Sequence, residues 1–82
     1  MEDFEKANIW NKINNMSIQE LLNSDFVIEN TDYNSLEEMI AAAGTNDFDS
    51  LEWDDFVYNF TIFLSWEEML RKARRDMFNR LV

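Results

Sequence analysis

The sequence predicts a small all-α protein, a compact bundle of four to five short helices forming a single acidic helical domain over residues 1–82. Three observations predict it. Ser-x-x-Glu recurs as Ser17-Ile-Gln-Glu20, Ser35-Leu-Glu-Glu38 and Ser65-Trp-Glu-Glu68; each is a capping box, in which the Ser oxygen accepts the N–H three residues on and the Glu reaches back to the cap. Apolar residues recur at helical spacing after each box. A chain of 82 residues has room for one core only, and the short connections favour antiparallel neighbours.

The elements follow in order. A first helix is expected over about 3–15, opening near Asp3 and striped by Ile9, Trp10, Ile13 and Met16. A short one follows at about 18–24, with Met16 and Leu21 flanking the Ser17 box as a hydrophobic staple. Residues 25–34 read as an extended link. A helix over 36–43 is striped by Leu36, Met39, Ile40 and Ala43, and Gly44 is a well-placed C′ stop.

The next helix is expected over about 50–64, with Asp49 of Asp49-Ser-Leu-Glu52 as its cap. At about 100° per residue, Trp53, Phe56, Val57, Phe60, Phe63 and Leu64 fall within an arc of ~120°. A competing pattern exists here, because Phe56, Tyr58, Phe60, Ile62 and Leu64 alternate as a strand would. With "FVIEN" (26–30) as partner, that alternative is an α+β fold with a minor two-stranded sheet from about 26–30 and 56–64. The acids at 52, 54 and 55 and the tight arc favour helix. A last helix over about 66–80 carries Trp66, Met69, Leu70, Ala73, Met77 and Leu81 on one side and Arg71, Lys72, Arg74 and Arg75 on the other. On this map the related strings "TDYNSLEEMI" and "NDFDSLEWDDF" are two helix N-termini, whose acids sit where the helix dipole favours negative charge.

Composition excludes several classes of function. At 46% apolar and 15% aromatic the chain is no disordered acidic tail. It has no Cys and no His, so disulfides, thiolate or imidazole metal sites and imidazole catalysis are absent. The opening "MEDFEK" is unlike a signal peptide, and no apolar run nears the ~20 residues of a membrane span. A cytoplasmic protein is expected. Ten Asn fit an AT-rich genome of the kind many bacteriophages carry, in which case the place is the host cell cytoplasm.

Charge is the strongest functional signal. Residues 1–68 hold sixteen acids against two bases, a balance of −14; residues 69–82 hold five bases against one acid, a balance of +4. Such a body repels phosphate and anionic lipid, which argues against direct nucleic-acid or membrane binding. It suits a basic protein partner. Helix capping explains part of the acid load, yet like charges held close destabilise a small fold, and an excess points to use. A rigid scaffold could imitate the phosphate array of nucleic acid, whose charges recur every ~1.7 Å along a duplex.

The expected contact set is Glu37, Glu38, Asp47, Asp49, Glu52, Asp54 and Asp55 for charge, with Tyr58 and Ile62 as apolar anchors on the face that also holds Leu51. Charge would steer the encounter and buried apolar area would hold it. Arg71, Lys72, Arg74 and Arg75 form a second candidate face, basic, whose plain alternative is charge balance; acid-to-base contact between copies would make a weak homo-oligomer of a monomer. No metal is expected: Asp47-x-Asp49 has the spacing that opens a calcium loop, but Leu51 stands at the third ligand position and Glu52 where Gly is required. No phosphate loop or nucleophile–base pair is present, so neither an enzyme nor a bound cofactor is expected.

One stretch, "FDSLEWDDFVYNF", resembles the attachment site of acyl carrier proteins, small acidic helical proteins with Asp-Ser-Leu at a helix start. The resemblance implies phosphopantetheine on Ser50, with Asp49 and Leu51 as neighbours. It covers about fifteen residues, with Asp54 at an apolar position of the pattern. The ranked expectations are an acidic inhibitor or regulator of a basic protein, either one that binds nucleic acid, as a phage or mobile-element mimic would target, or another basic protein; then a carrier modified on Ser50; then an accessory subunit or small chaperone.

Overall fold

Two helix–loop–helix units built on one pattern, facing each other across a backbone bridge, organise the computed structural model. It describes residues 2–82, with side chains from Ala7 onward. Six helices run in order: α1 (Glu2–Asn14), α2 (Ile18–Leu21), α3 (Ser24–Asn30), α4 (Leu36–Ala43), α5 (Leu51–Phe60) and α6 (Trp66–Leu81). The all-α bundle is as expected, with one helix more. The cap role of Asp3 falls outside the described side chains.

The added helix is α3, which occupies most of the stretch expected to be an extended link. Its cap is Asn23, whose Oδ1 accepts the Phe26 N–H at 3.0 Å. Asn serves as well as Ser at this position, but without a Glu three residues on it leaves no box in the sequence. Phe26 and Val27 then go into the core.

Both helix–loop–helix units end their first helix in the same way. Thr31 after α3 donates its hydroxyl to the Val27 carbonyl at 2.8 Å and accepts the Tyr33 N–H at 3.0 Å. Thr61 after α5 repeats this with Val57 at 2.7 Å and Phe63 at 3.1 Å. One hydroxyl thus occupies a terminal helix carbonyl and turns the chain. Both threonines are extended, at φ −143°, ψ 175° and φ −134°, ψ 176°. Four residues on, Ser35 and Ser65 cap α4 and α6 with the same backbone angles within a few degrees, φ −161° and −160°.

The sequence explains the likeness. Residues 25–44 and 55–74 match at an offset of thirty, with nine of twenty positions identical: Asp25, Phe26, Val27, Thr31, Ser35, Glu37, Glu38, Met39 and Ala43 against Asp55, Phe56, Val57, Thr61, Ser65, Glu67, Glu68, Met69 and Ala73. The likeness of "TDYNSLEEMI" to "NDFDSLEWDDF" is one of capping chemistry alone. Thr31 and Thr61 pair as an isolated antiparallel bridge, and antiparallel pairing of a residue with its own counterpart implies a local two-fold. Aromatic contacts obey it: Tyr33 lies 5.6 Å from Phe56, and Phe63 lies 6.2 Å from Phe26, reciprocal contacts of the kind an isologous interface makes.

This bridge replaces the minor sheet weighed in the alternative fold, because 26–30 and most of 56–64 are helical. It also shortens the long helix expected over 50–64. α5 stops at Phe60, and beyond it the alternation takes over: Phe63 turns in while Ile62 and Leu64 turn out. Phe60 and Leu64, expected on the buried arc, are exposed. Ile62 is exposed too, but on the loop rather than on the helix.

α6 is the spine, packing against α1, α2 and α5, while α4 packs on α5. The core unites Ile13, Leu22, Val27, Met39, Trp53, Val57 and Met69, all essentially inaccessible. Trp10, half-exposed, stacks on Phe78 at 4.6 Å and ties α1 to the far end of α6. Trp53 Nε1 is buried without a hydrogen-bond partner; its ring meets Phe48 and Trp66 at 67° and 85°, leaving aromatic faces as its polarisable surroundings. Gly44, at φ +75°, ends α4 through its N–H to the Ile40 carbonyl at 3.0 Å, as expected for a left-handed stop.

Thr31→Val and Thr61→Val keep the branched shape but remove both hydroxyl bonds. Each should lower stability by about 1–2 kcal/mol, a fall in Tm of roughly 5–15 °C for a domain of this size. Because the two residues pair, the double variant should depart from additivity by at least about 0.5 kcal/mol in urea titrations followed by circular dichroism.

Candidate functional site

The link from Gly44 to α5 is short, polar and held by its own side chains. Thr45 Oγ1 accepts the Asp47 N–H at 3.1 Å, and Asp47 Oδ1 accepts the Asp49 N–H at 3.1 Å. Asp side chains that bond their backbone two residues on make tight turns of this kind. Ser50 closes the turn by donating its hydroxyl to the Asp47 carbonyl at 2.7 Å. Phe48 anchors it, stacking on Trp66 at 5.3 Å and meeting Trp53 edge-on at 4.9 Å.

Ser50, rather than Asp49, is the cap of α5, its Oγ accepting the Trp53 N–H at 3.2 Å. The short Ser side chain reaches that donor while its hydroxyl proton serves Asp47, a double task no carboxylate can perform. Asp49 is thereby displaced one residue outward and stands exposed, as do Asp47, Glu52 and Asp55.

Asp54 differs from its neighbours. It is half-buried, and its Oδ1 accepts the Trp66 N–H at 2.8 Å. That N–H opens α6 and has no partner within its own helix, so Asp54 joins α5 to α6 at the point where Phe48, Trp53 and Trp66 converge. Glu67 and Glu68 follow at once, with Glu68 Oε2 accepting the Leu64 N–H at 3.1 Å. The 47–55 carboxylates and the acidic start of α6 thus belong to one corner of the fold.

Glu37 and Glu38 stand elsewhere in the scheme. They are the counterparts of Glu67 and Glu68 in the other unit, exposed at the start of α4 with Glu38 bonded to Asn34 at 3.4 Å. Among the described residues no hydrogen bond or ion pair joins them to the 47–55 corner.

Among the described residues the ion pairs all involve α6. Arg71 meets Glu67 at 3.3 Å, Lys72 meets Asp76 at 2.9 Å and Arg80 meets Asp25 at 3.6 Å. Arg71 and Lys72, two of the four residues of the candidate basic face, therefore each hold a carboxylate one helical turn away; Arg74 is half-buried and Arg75 exposed. None of Glu37, Glu38, Asp47, Asp49, Glu52, Asp54 and Asp55 is ion-paired among the described residues. Nor do three or more carboxylates among the described residues converge closely enough to hold a metal ion. Two open grooves, of about 370 and 480 Å³, flank Lys72.

The expected anchors Tyr58 and Ile62 are both exposed, as is Leu51. The structure adds two residues that were placed in the core, Phe60 and Leu64. A comparison of the two units at the thirty-residue offset would have flagged Leu64, whose match Asn34 is exposed, but not Phe60, whose match Asn30 is buried and donates to the Phe26 carbonyl at 2.8 Å.

Among the described residues no helix is long and apolar enough to cross a membrane. Comparison with protein-family models, with curated proteins and with solved structures finds no match.

Asp54 and Asp55 should respond differently to mutation. Asp54→Ala leaves the Trp66 N–H without its acceptor and should cost about 1–3 kcal/mol. Asp54→Asn keeps an acceptor and should cost less than about 1 kcal/mol. Asp55→Asn should lie within about 0.5 kcal/mol of the parent, all three read from urea unfolding midpoints.

Proposed function

We propose that this chain is an acidic protein-binding module that docks on a basic protein and alters what that protein does. The observation that carries the reading is the separation of charge. Among the described residues the ion pairs join α6 to itself and to Asp25 of α3, while Asp47, Asp49, Glu52 and Asp55 stand exposed on a turn and helix start held by side-chain bonds and by Phe48. A turn whose backbone is already held needs no rearrangement to meet a Lys/Arg-lined surface, which limits the entropy lost on docking. Asp54 contributes charge from the same corner while holding α6. Glu37 and Glu38 offer a further acidic edge.

The partner this charge fits is one that binds nucleic acid, its basic groove occupied by carboxylates in place of phosphates. Inhibition by occupancy follows, and a virus or mobile element has use for such an inhibitor. Tyr58 and Ile62, exposed near the corner in sequence, supply apolar contact.

The carrier alternative on Ser50 has less in its favour, since the Ser50 hydroxyl is engaged on both sides and the neighbouring core is filled by Trp53, Phe48 and Trp66. Intact-mass measurement on protein from its own cells should give the unmodified chain; an adduct on Ser50 would replace this reading with the carrier one.

Affinity capture from those cells should retain a basic protein at low ionic strength and release it as salt rises past the point where the Debye length falls below about 8 Å. The variant D47N/D49N/E52Q/D55N, folded by circular dichroism, should weaken capture of that same protein at least about tenfold. Equal capture by parent and variant, at all salt concentrations, would remove the proposal.

A further inference from the structure

The two units allow an internal comparison, because the same backbone carries different side chains twice. In the first unit, positions 30, 32 and 34 are Asn30, Asp32 and Asn34; in the second, the matching positions are Phe60, Ile62 and Leu64. The turn itself is set by Thr31, Ser35, Thr61 and Ser65 and is the same in both. The first unit shows that this backbone forms without apolar residues at those positions. In the second unit Phe60 is 58% exposed, Ile62 73% and Leu64 70%, with Tyr58, one turn before the loop's start, at 58%. Phe60, Ile62 and Leu64 together expose on the order of 400 Å² at alternate positions of the turn, a size that commonly marks a contact site.

Carboxylates adjoin this surface, with Arg71, Lys72 and Arg75 lying beyond Glu68. Asp55 lies one helical turn before Tyr58, Glu68 holds the Leu64 N–H with its carboxylate at 3.1 Å, and the antiparallel Thr31–Thr61 bridge sets Asp32 against Phe60. A second copy of this chain would bring another net charge of −10 against it, which disfavours self-association. A segment that interleaves Lys or Arg with large apolar side chains matches both the patch and its border.

We infer that residues 58–64 are the docking surface for a basic amphipathic segment of another protein, with Phe60, Ile62 and Leu64 as its apolar anchors and Asp55 and Glu68 as its charged rim. The inference rests on the reading of the chain as an acidic docking module and deepens it: charge steers the encounter, and this loop decides residence and selects amphipathic over merely cationic partners.

The test uses two synthetic peptides of equal positive charge, one with Leu and Lys at amphipathic helical spacing, the other with Gly in place of every Leu. Titration into the full chain, followed by amide chemical shifts, should show the Leu/Lys peptide binding at least about tenfold more tightly and perturbing residues 58–64. The variant F60N/I62D/L64N, which installs the first unit's residues, should lose that preference, although its added carboxylate strengthens any purely electrostatic attraction. Ile62→Asp alone serves as the milder variant should Phe60, which stacks on Phe56 at 5.2 Å, matter to folding.

Equal binding of the two peptides, or shifts confined to residues outside 58–64, would overturn the inference while leaving acidic docking in place. Failure of both peptides to bind at low ionic strength would overturn both. Sedimentation that shows a dimer of the parent, dissociated in the F60N/I62D/L64N variant, would assign the surface to a second copy and overturn the inference as well.

Discussion

The pairing of Thr31 with Thr61 is the constraint on which the rest of the structure depends. Each threonine stops a helix, redirects the chain by one hydroxyl, and presents an extended residue to its counterpart. The first helix pair could not stand alone, since α3 and α4 together supply only fifteen residues of helix and helices that short are marginal in water. Joined at the bridge, the two units bury each other's Phe26, Phe56 and Phe63 with Tyr33 packed alongside. Small chains face an unfavourable ratio of surface to volume, and building twice from one pattern is a way of completing a core with little sequence.

The two units have then diverged in what they leave outside. The first ends at Gly44 and its loop is polar; the second runs on into α6, which at sixteen residues reaches back to α1 and α2. α6 also answers the acid load, since its Arg and Lys side chains stand beside Glu67, Asp76 and Asp25. These pairs are exposed and contribute little stability individually. Their effect is on the distribution of charge, because they offset α6 and leave the 47–55 corner unbalanced. The molecule is elongated, 45 Å by 22 Å by 19 Å.

Acids near one another cost stability unless something local compensates them. Here Glu20, Glu38, Glu52 and Glu68 stand in or beside first helical turns, where the dipole favours them, and Glu38 and Glu68 also accept hydrogen bonds from the residues before their caps. Asp54 holds α6 in place. Compensation thus covers part of the acidic set. The carboxylates of Asp49 and Asp55 accept no hydrogen bond and form no ion pair among the described residues, the Asn59 amide bonding the Asp55 backbone carbonyl instead.

What the amino-acid order determined by itself were the features with a local cause. Ser17, Ser35 and Ser65 mark helix starts because a capping hydroxyl needs only the next three residues, and Gly44 marks an end because only glycine adopts φ +75° without strain. The carboxylates of the 47–55 corner were legible as charge for the same reason. What only the tertiary structure decided were the features that depend on a partner distant in sequence. Asp54 became an internal acceptor because Trp66 folds back onto it, and Phe60 and Leu64 moved outside because Thr61 pairs with Thr31 and ends α5 before its apolar arc is complete. A helical arc and a strand-like alternation share the residues of 56–64, and no local energy separates them clearly; the bridge thirty residues upstream does.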